Sequence, residues 1–311
     1  MKRTLLARNN SYNPNGLNVN KPDIISMTDR ERRQKEIQLF VQKMPSLSTT
    51  VSKVLEICSR TDTSPNDLNR VISLDPVLTG QVLKLINSAY YSLMNRVTSL
   101  TRAIVMLGLN TVKNLALSTA VIGCVKQTKK SRVLPINQFW THSIAVGVLA
   151  KLLASELGIP LNEREEFFVA GLLHDLGKIP MGDEYADVLH MARHEQKDLI
   201  KVEKKELDIT HEEIGGLIAE KWALSPSLTE VICRHHSLDD ITSDNGRLVN
   251  VVALADSYAC LFDLGYAGNC YPDEERLLHA IRHSELDWSF LSQLKSQVDE
   301  EIRKAEVFLR V

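Results

Sequence analysis

Residues 171–178 read Gly-Leu-Leu-His-Asp-Leu-Gly-Lys, so a histidine and an aspartate stand side by side after an apolar run. Neutral imidazole together with carboxylate suits divalent metals such as Fe, Mn, Zn, Co or Ni. His174 and Asp175 could also be a buried histidine beside a helix-terminal acid. Lys178 lies one turn beyond the pair, close enough to reach a phosphate oxygen near a metal that the pair holds.

Four further histidines and one aspartate of the C-terminal half could converge on this pair. They are His142, His211, His235, His236 and Asp256. Asp256 lies in the apolar segment NVVALADSYACLF, where a buried carboxylate is costly unless it is paired or binds a cation. For any one of these histidines a core or capping role is the commoner explanation. Their clustering on helices of one half favours metal binding, and the spacing alone leaves both interpretations open.

The sequence predicts an all-α fold. Five helix starts carry N-capping patterns: Ser64-Pro65, Asp75-Pro76, Asn110, the capping box Thr210 to Glu213, and Ser225-Pro226. The run LVNVVALA could form a strand by composition alone. Its flanks continue at helical spacing, so we expect a helix there.

Composition shifts divide the chain into two helical lobes. Residues 1–30 are rich in Asn and Ser and predict a poorly structured tail or arm. Residues 31–125 form the expected first lobe, and the basic, proline-containing segment 126–137 the expected linker. Residues 138–311 form the expected second lobe, which carries all the candidate metal ligands.

The overall composition limits the classes of partner. Of 311 residues, 44% are hydrophobic and 24% charged, and the formal net charge is -2. We therefore expect neither nucleic acid nor an anionic membrane as a partner. No secretory signal or run of roughly 20 apolar residues is present, which favours a cytoplasmic protein.

The five cysteines and the remaining histidine pairs have ordinary explanations. An odd number of cysteines without a C-x-x-C pair favours a reducing compartment, and we expect them to pack as small apolar side chains away from the motifs. His190 and His194, like His279 and His283, lie four residues apart in charged surroundings. We expect both pairs on the solvated surface.

Beyond these patterns, the second lobe resembles the HD superfamily of metal-dependent phosphohydrolases. GLLHDLGK resembles its signature motif, and THSIAVGVLAKLLA, THEEIGGLIAEKW, ICRHHS and LADSYA resemble its other ligand segments. The resemblance implies two divalent ions, Fe or Mn first and Zn, Co or Ni as alternatives. By the resemblance, the first ion would be held by His142, His174, Asp175 and Asp256. Asp175 would bridge to a second ion held by His211, His235 and His236.

The first lobe is similar to the HDOD domain, the HD-related output domain of bacterial signalling proteins. The segments MPSLSTTVSKVLEI, VISLDPVLTGQVLKLINSAYYS and SLTRAIVMLGLNTVKNLALSTAV carry this resemblance. With the HD-like part it takes in most of residues 44–260. HDOD proteins are often described as HD relatives that have lost catalytic residues, whereas this chain keeps what resembles a full ligand set.

The chain departs from the HD-GYP phosphodiesterases after its histidine pair. Asp240 falls at their aspartate position, but Ser237 replaces an acid, Ile241 replaces a glycine, and Gly-Tyr-Pro is absent. Cyclic di-GMP is therefore not the expected substrate.

Two functions follow from these resemblances. One is a signalling module that retains a metal site and binds a protein partner or a phosphate-containing small ligand. The other is an active metal-dependent phosphohydrolase acting on a nucleotide or another phosphoester, with Asp175 and Lys178 as candidate catalytic residues. The sequence slightly favours the module and leaves hydrolysis open.

Overall fold

The structure, a computed structural model, describes residues 29–126, 133–182, 185–238, 245–284, 286 and 288–310. Within these ranges the chain forms only helices, sixteen α and two short 3₁₀, and no β-strand. The predicted all-α fold is confirmed. The predicted tail up to residue 28 and the middle of the predicted linker lie outside the described residues.

The helices follow one another with short connections. In the first half they are α1 (Asp29–Lys43), α2 (Thr49–Cys58), α3 (Pro65–Ile72), α4 (Pro76–Ile86), α5 (Leu100–Leu107) and α6 (Leu109–Lys126). In the second half they are α7 (Ile136–Glu156), α8 (Arg164–Leu173), a 3₁₀ helix (Leu176–Met181), α9 (Tyr185–His194), α10 (Leu199–Leu207), α11 (His211–Lys221), α12 (Pro226–Arg234), α13 (Gly246–Leu261), α14 (Glu274–Ser284), α15 (Trp288–Gln293), α16 (Lys295–Ala305) and a C-terminal 3₁₀ helix (Glu306–Arg310).

Side-chain caps open four helices where the sequence predicts them. At the starts of α3, α4, α11 and α12 the capping oxygen accepts a backbone N–H from the first turn, which supplies one of the partners that a helix end lacks. The caps are Ser64, Asp75, Thr210 and Ser225. The prediction for Asn110 is wrong. α6 begins at Leu109, two residues before the start that a cap at Asn110 implies, because Gly108 with φ +87° turns the chain directly from α5 into α6.

The run LVNVVALA lies in α13 and is helical, as expected. Twelve of the sixteen residues of α13 are buried, so the helix is apolar around most of its circumference. A helix of this kind belongs in the centre of a protein. Asp256 therefore reaches the interior from a helix whose other neighbours are almost all apolar.

A glycine contact brings α7 and α8 together. A Cβ atom on Gly171 would lie 2.7 Å from the Cα of Gly147, and one on Gly147 would lie 2.6 Å from a backbone oxygen of Phe168. The two backbones can therefore touch only because both positions lack a side chain. His142 lies five residues before this crossing and His174 three residues after it, so the contact fixes the distance between them.

One continuous apolar core runs through both halves of the chain. α6 packs on α8, and α1 packs on α10, α11 and the first 3₁₀ helix. The C-terminal 3₁₀ helix packs on both α6 and α7, with Phe308 buried against Tyr90 and Phe168. The predicted lobe boundaries stay a prediction.

None of the described helices is by itself long and apolar enough to cross a membrane. Taken together, α5 and α6 meet the length and hydropathy criteria, but they are bent by 118° where they join.

Candidate metal centre

The seven predicted ligands come from five separate segments and meet in the interior. His142 lies on α7, and Asp256 lies on α13. His174 ends α8 and Asp175 follows it, ahead of the first 3₁₀ helix. His211 is the first residue of α11. The pair at the end of α12 completes the set: His235 and His236. Six of the seven side chains are buried and His236 is half-buried.

The first donor group consists of His142, His174, Asp175 and Asp256. Nε2 of His142 lies 3.1 Å from Oδ1 of Asp256 and 3.8 Å from Oδ2 of Asp175. Nε2 of His174 lies 3.3 Å from Oδ2 of Asp175 and 3.7 Å from Oδ1 of Asp256. Two imidazoles and two carboxylates thus face one small volume.

The second donor group consists of Asp175, His211, His235 and His236. Nε2 of His211 lies 3.3 Å from Nε2 of His235, and these two atoms lie 3.5 and 3.6 Å from Oδ1 of Asp175. One candidate donor atom from each of the four residues falls within 4.8 Å of the others. Asp175 belongs to both groups, with Oδ2 facing the first and Oδ1 facing the second.

Hydrogen bonds to the outer ring nitrogens orient three of the histidines. Nδ1 of His174 lies 2.6 Å from the carbonyl oxygen of Gly171, and Nδ1 of His235 lies 3.0 Å from that of Val231. Nδ1 of His211 lies 2.7 Å from a carboxylate oxygen of Glu203. Since a carbonyl or carboxylate oxygen accepts, each Nδ1 donates and each Nε2 is directed into the interior. Metal-bound histidines are oriented in the same way.

Buried atoms without partners test whether these residues fit a metal. Among the described residues, Nε2 of His174, Oδ1 of Asp175 and both ring nitrogens of His236 are buried and make no hydrogen bond. Such orphaned groups are costly and rare in folded proteins. The atoms named here belong to the two donor groups, although other buried atoms of the described residues, such as the indole nitrogen of Trp140, also lack a partner. Imidazole with carboxylate is a donor set for Fe, Mn, Zn or Ni. The residues present therefore fit divalent ions. Their assignment as ligands stays a prediction.

The charges differ between the groups. Burial alone would lower the pKa of His174, but Asp175 and Asp256 outweigh it and raise the pKa to about 10. Burial alone would raise the pKa of Asp175, but the positive charges of His174 and Lys178 hold that pKa well below its usual range. Burial lowers the pKa of His235 and His236, so both are neutral at pH 7. The first donor group is internally ion-paired, and His235 and His236 contribute no charge to the second.

Lys178 points at the shared carboxylate. Its Nζ donates to Oδ2 of Asp175 at 2.7 Å, and the side chain is buried. A buried ammonium requires such a partner. Its predicted contact with a phosphate oxygen stays a prediction.

The other predicted residues separate into two kinds. His190, His194 and His283 are exposed and His279 is half-buried, close to the expected surface positions. The expectation that no cysteine lies near a motif is wrong for Cys260, whose Sγ is 3.7 Å from Oδ1 of Asp256. Cys260 follows Asp256 by one helical turn, a spacing that the sequence already contains.

Three carboxyl and hydroxyl groups around the centre were not predicted. Glu203, buried on α10, bonds His211, and Tyr185 bonds Glu203 in turn. Glu212 accepts the backbone N–H of His236 at 2.7 Å and the hydroxyl of Ser237 at 2.8 Å. Glu203 occupies the apolar stripe of its helix, four residues from both Leu199 and Leu207. This position could have indicated from the sequence that its side chain is buried.

Solved structures share the fold. An HDOD domain protein of unknown function from Geobacter sulfurreducens superposes with a TM-score of 0.71 at 24% identity, over 91% of this chain and 100% of that one. A Shewanella amazonensis protein provisionally named a phosphohydrolase superposes with a TM-score of 0.66 at 24% identity, over 88% of this chain and 98% of that one.

Curated relatives match parts of the chain. An uncharacterized protein of Treponema pallidum (strain Nichols) is 25% identical over 219 residues, 69% of this chain and 42% of that protein. Ribonuclease Y of Clostridium perfringens (strain SM101 / Type A) is 36% identical over 95 residues, 30% of this chain and 14% of that enzyme. The chain thus spans less than half the length of these relatives.

The family model of the HDOD domain matches residues 44–238, which is more than half of the chain and takes in α2 to α12. The resemblance stated from sequence is confirmed, and the protein belongs to the HDOD domain family.

Proposed function

We infer that this HDOD protein holds two divalent metal ions, Fe or Mn, on either side of Asp175. One observation carries the proposal. Oδ2 of Asp175 faces His174 at 3.3 Å while Oδ1 faces His211 at 3.5 Å, and Oδ1 has no hydrogen bond among the described residues. A buried carboxylate that faces a different set of imidazoles with each oxygen is suited to bridge two cations.

The function proposed for this centre is signal transduction, in the cytoplasm. The ions would bind a phosphate-containing small ligand, and the packed core shared by both halves would connect that site to a surface for a protein partner. Membership of the HDOD family supports this role. Five free cysteines agree with a reducing compartment.

Hydrolysis of a phosphoester is the second candidate, and the completeness of both donor groups favours it. Two bound ions polarise a phosphoryl oxygen and supply hydroxide near neutral pH. The protein's own contribution is to hold Asp175 in place through Lys178 and to direct Nε2 of three histidines into the interior through their Nδ1 contacts. A structural or sensory site with one ion would not require three further histidines on the second side.

Elemental analysis tests the metal part. The protein is loaded anaerobically with Fe²⁺ or Mn²⁺, desalted and analysed, and we expect two ions per chain. The double variant Asp175→Asn/Lys178→Met removes the bridge without stranding a buried ammonium, and we expect it to bind none. The surface pair variant His190→Ala/His194→Ala is the control and should still bind two. A wild-type protein that takes up no ion would refute the proposal.

Turnover tests the second candidate. Loaded protein is incubated with phosphomonoesters, nucleotides and cyclic dinucleotides, and with RNA because of the local similarity to Ribonuclease Y. Turnover that disappears in the double variant supports a hydrolase. Two bound ions without turnover on any substrate support the signalling module alone. Hydrolysis of RNA would overturn the expectation that nucleic acid is not a partner.

A further inference from the structure

His211 differs from its neighbours in how its outer ring nitrogen finds a partner. His174 and His235 each use a carbonyl oxygen three or four residues earlier on their own helix. His211 is the first residue of α11, so no preceding turn of that helix offers it a carbonyl. Its partner has to come from elsewhere in the fold.

That partner is Glu203, near the end of α10. Nδ1 of His211 lies 2.7 and 2.9 Å from the two carboxylate oxygens, and the backbone N–H of His211 donates to Oε2 at 2.9 Å. The hydroxyl of Tyr185, the first residue of α9, bonds Oε1. Glu203 is completely buried. One carboxylate thus joins three successive helices at the edge of the centre.

The contacts of Glu203 determine the tautomer of His211. A backbone N–H can only donate, so the oxygen that it meets is an acceptor. The ring nitrogen lies within hydrogen-bonding distance of that same oxygen and must therefore carry a hydrogen. The hydrogen on Nδ1 leaves the lone pair on Nε2, which faces His235 and Asp175.

We propose that Glu203, held by Tyr185, is the positioning residue of the second ion: it fixes His211 as an Nε2 donor and thereby sets the affinity of that ion. The metal part rests on the proposed function. The tautomer part concerns the metal-free protein and stands independently. Outer partners of this kind typically change metal affinity by about 10–100-fold.

Glu203→Gln is the decisive variant because it keeps the shape and removes the charge. The amide has one accepting oxygen, which the backbone N–H of His211 occupies, and its NH₂ group then faces Nδ1. An N–H donor that faces Nδ1 favours the tautomer with the hydrogen on Nε2. In that tautomer Nε2 has no lone pair with which to bind a metal. Tyr185→Phe removes only one bond to Glu203 and should have a smaller effect in the same direction.

The first measurement is a Mn²⁺ titration against a competing chelator. In Glu203→Gln we expect the second ion to bind about 10–100-fold more weakly and the first to bind unchanged. Glu206→Gln, on the same helix and paired with Lys205, is the control and should match wild type. Equal weakening of both ions, or none, would contradict the proposal, as would a loss of thermal stability without a change in affinity.

The second measurement is the imidazole ¹⁵N NMR spectrum of the metal-free protein at mildly alkaline pH. We expect His211 to carry its hydrogen on Nδ1 in wild type and on Nε2 in Glu203→Gln. An unchanged tautomer overturns the proposal. If wild type binds fewer than two ions, the proposed function fails, and the spectrum alone decides whether Glu203 positions His211.

Discussion

The two donor groups share Asp175 and differ in where their negative charge lies. The first has two carboxylates inside the group, and Asp256 already bonds His142 at 3.1 Å. The second has only the shared carboxylate among three histidines. Its additional acids lie one layer out, where Glu203 bonds a ring and Glu212 bonds a backbone. The negative charge of the first group thus comes from its own members, whereas much of that of the second comes from acids around it.

From this difference we expect an order in which the two proposed ions bind. Two carboxylates attract a divalent cation more strongly than one, so the first group should bind its ion at the lower metal concentration. The proposed second ion would depend on residues outside its donor group, so its affinity could be adjusted without changing a ligand. The variants below separate these properties, from the largest effect to the smallest.

Asp175→Asn should have the largest effect, since it alone belongs to both groups. We expect both ions to be lost in elemental analysis. We also expect the free energy of unfolding to fall by about 3–5 kcal/mol, because the buried Lys178 loses its partner. Chemical denaturation of the metal-free protein measures the second effect. If the double variant Asp175→Asn/Lys178→Met regains stability but still binds no metal, the unpaired Lys178 is the cause of the lost stability.

Asp256→Asn and His236→Ala should each remove one ion, from opposite sides. Asp256 belongs only to the first group and His236 only to the second, so each variant should retain a single ion per chain. Titration should show that the weaker ion remains in Asp256→Asn and the tighter one in His236→Ala. If either substitution abolished binding of both ions, the two groups would not bind their ions independently.

The pH dependence of binding should also differ between the groups. In the metal-free protein the carboxylates raise the pKa of His174 to about 10, so its ring is protonated at neutral pH and the first ion must displace that proton. The first ion's affinity should therefore rise about tenfold per pH unit up to that pKa. Burial lowers the pKa of His235 and His236, so they are already neutral and add no such slope. Calorimetry in buffers of different ionisation enthalpy counts the protons released; more protons released by the second ion would reverse the assignment.

Ser237→Ala should have the smallest effect. The Ser237 hydroxyl donates to Glu212, whose other oxygen holds the backbone of His236. Loss of one such bond is worth about 1 kcal/mol, so the second ion should bind a few-fold more weakly. Ser292→Ala, at an exposed hydroxyl far along the chain, serves as control. An affinity equal to that of the control would mean that Glu212 needs no support from Ser237.

Local patterns predicted most of the fold because caps and apolar spacing act within a few residues. Ser64 and Thr210 cap their helices as expected. Asn110 does not, because the turn at Gly108 depends on a backbone conformation that only a glycine adopts easily. The meeting of the seven ligand side chains came from family resemblance, since residues as far apart as His142 and Asp256 carry no local sign of contact.

The outer residues of the site were harder to predict. Glu203 stands among lysines and glutamates in VEKKEL, a segment typical of a solvated helix face. Only its place between Leu199 and Leu207 on the buried stripe distinguishes it. Its partner at Nδ1 of His211 lies on another helix, and such a pairing depends on how α10 and α11 pack.

The position of Asp175 between the groups also limits how such a centre can disappear during evolution. If the proposed ions are bound, loss of His236, the only half-buried member, should leave a protein that folds and binds one ion. Loss of Asp175 should remove both ions in one step and leave the buried Lys178 without its partner. We therefore expect gradual loss of the site to begin at His236 and to reach the central aspartate last. A descendant that had kept His236 but not Asp175 would also need a substitution of Lys178.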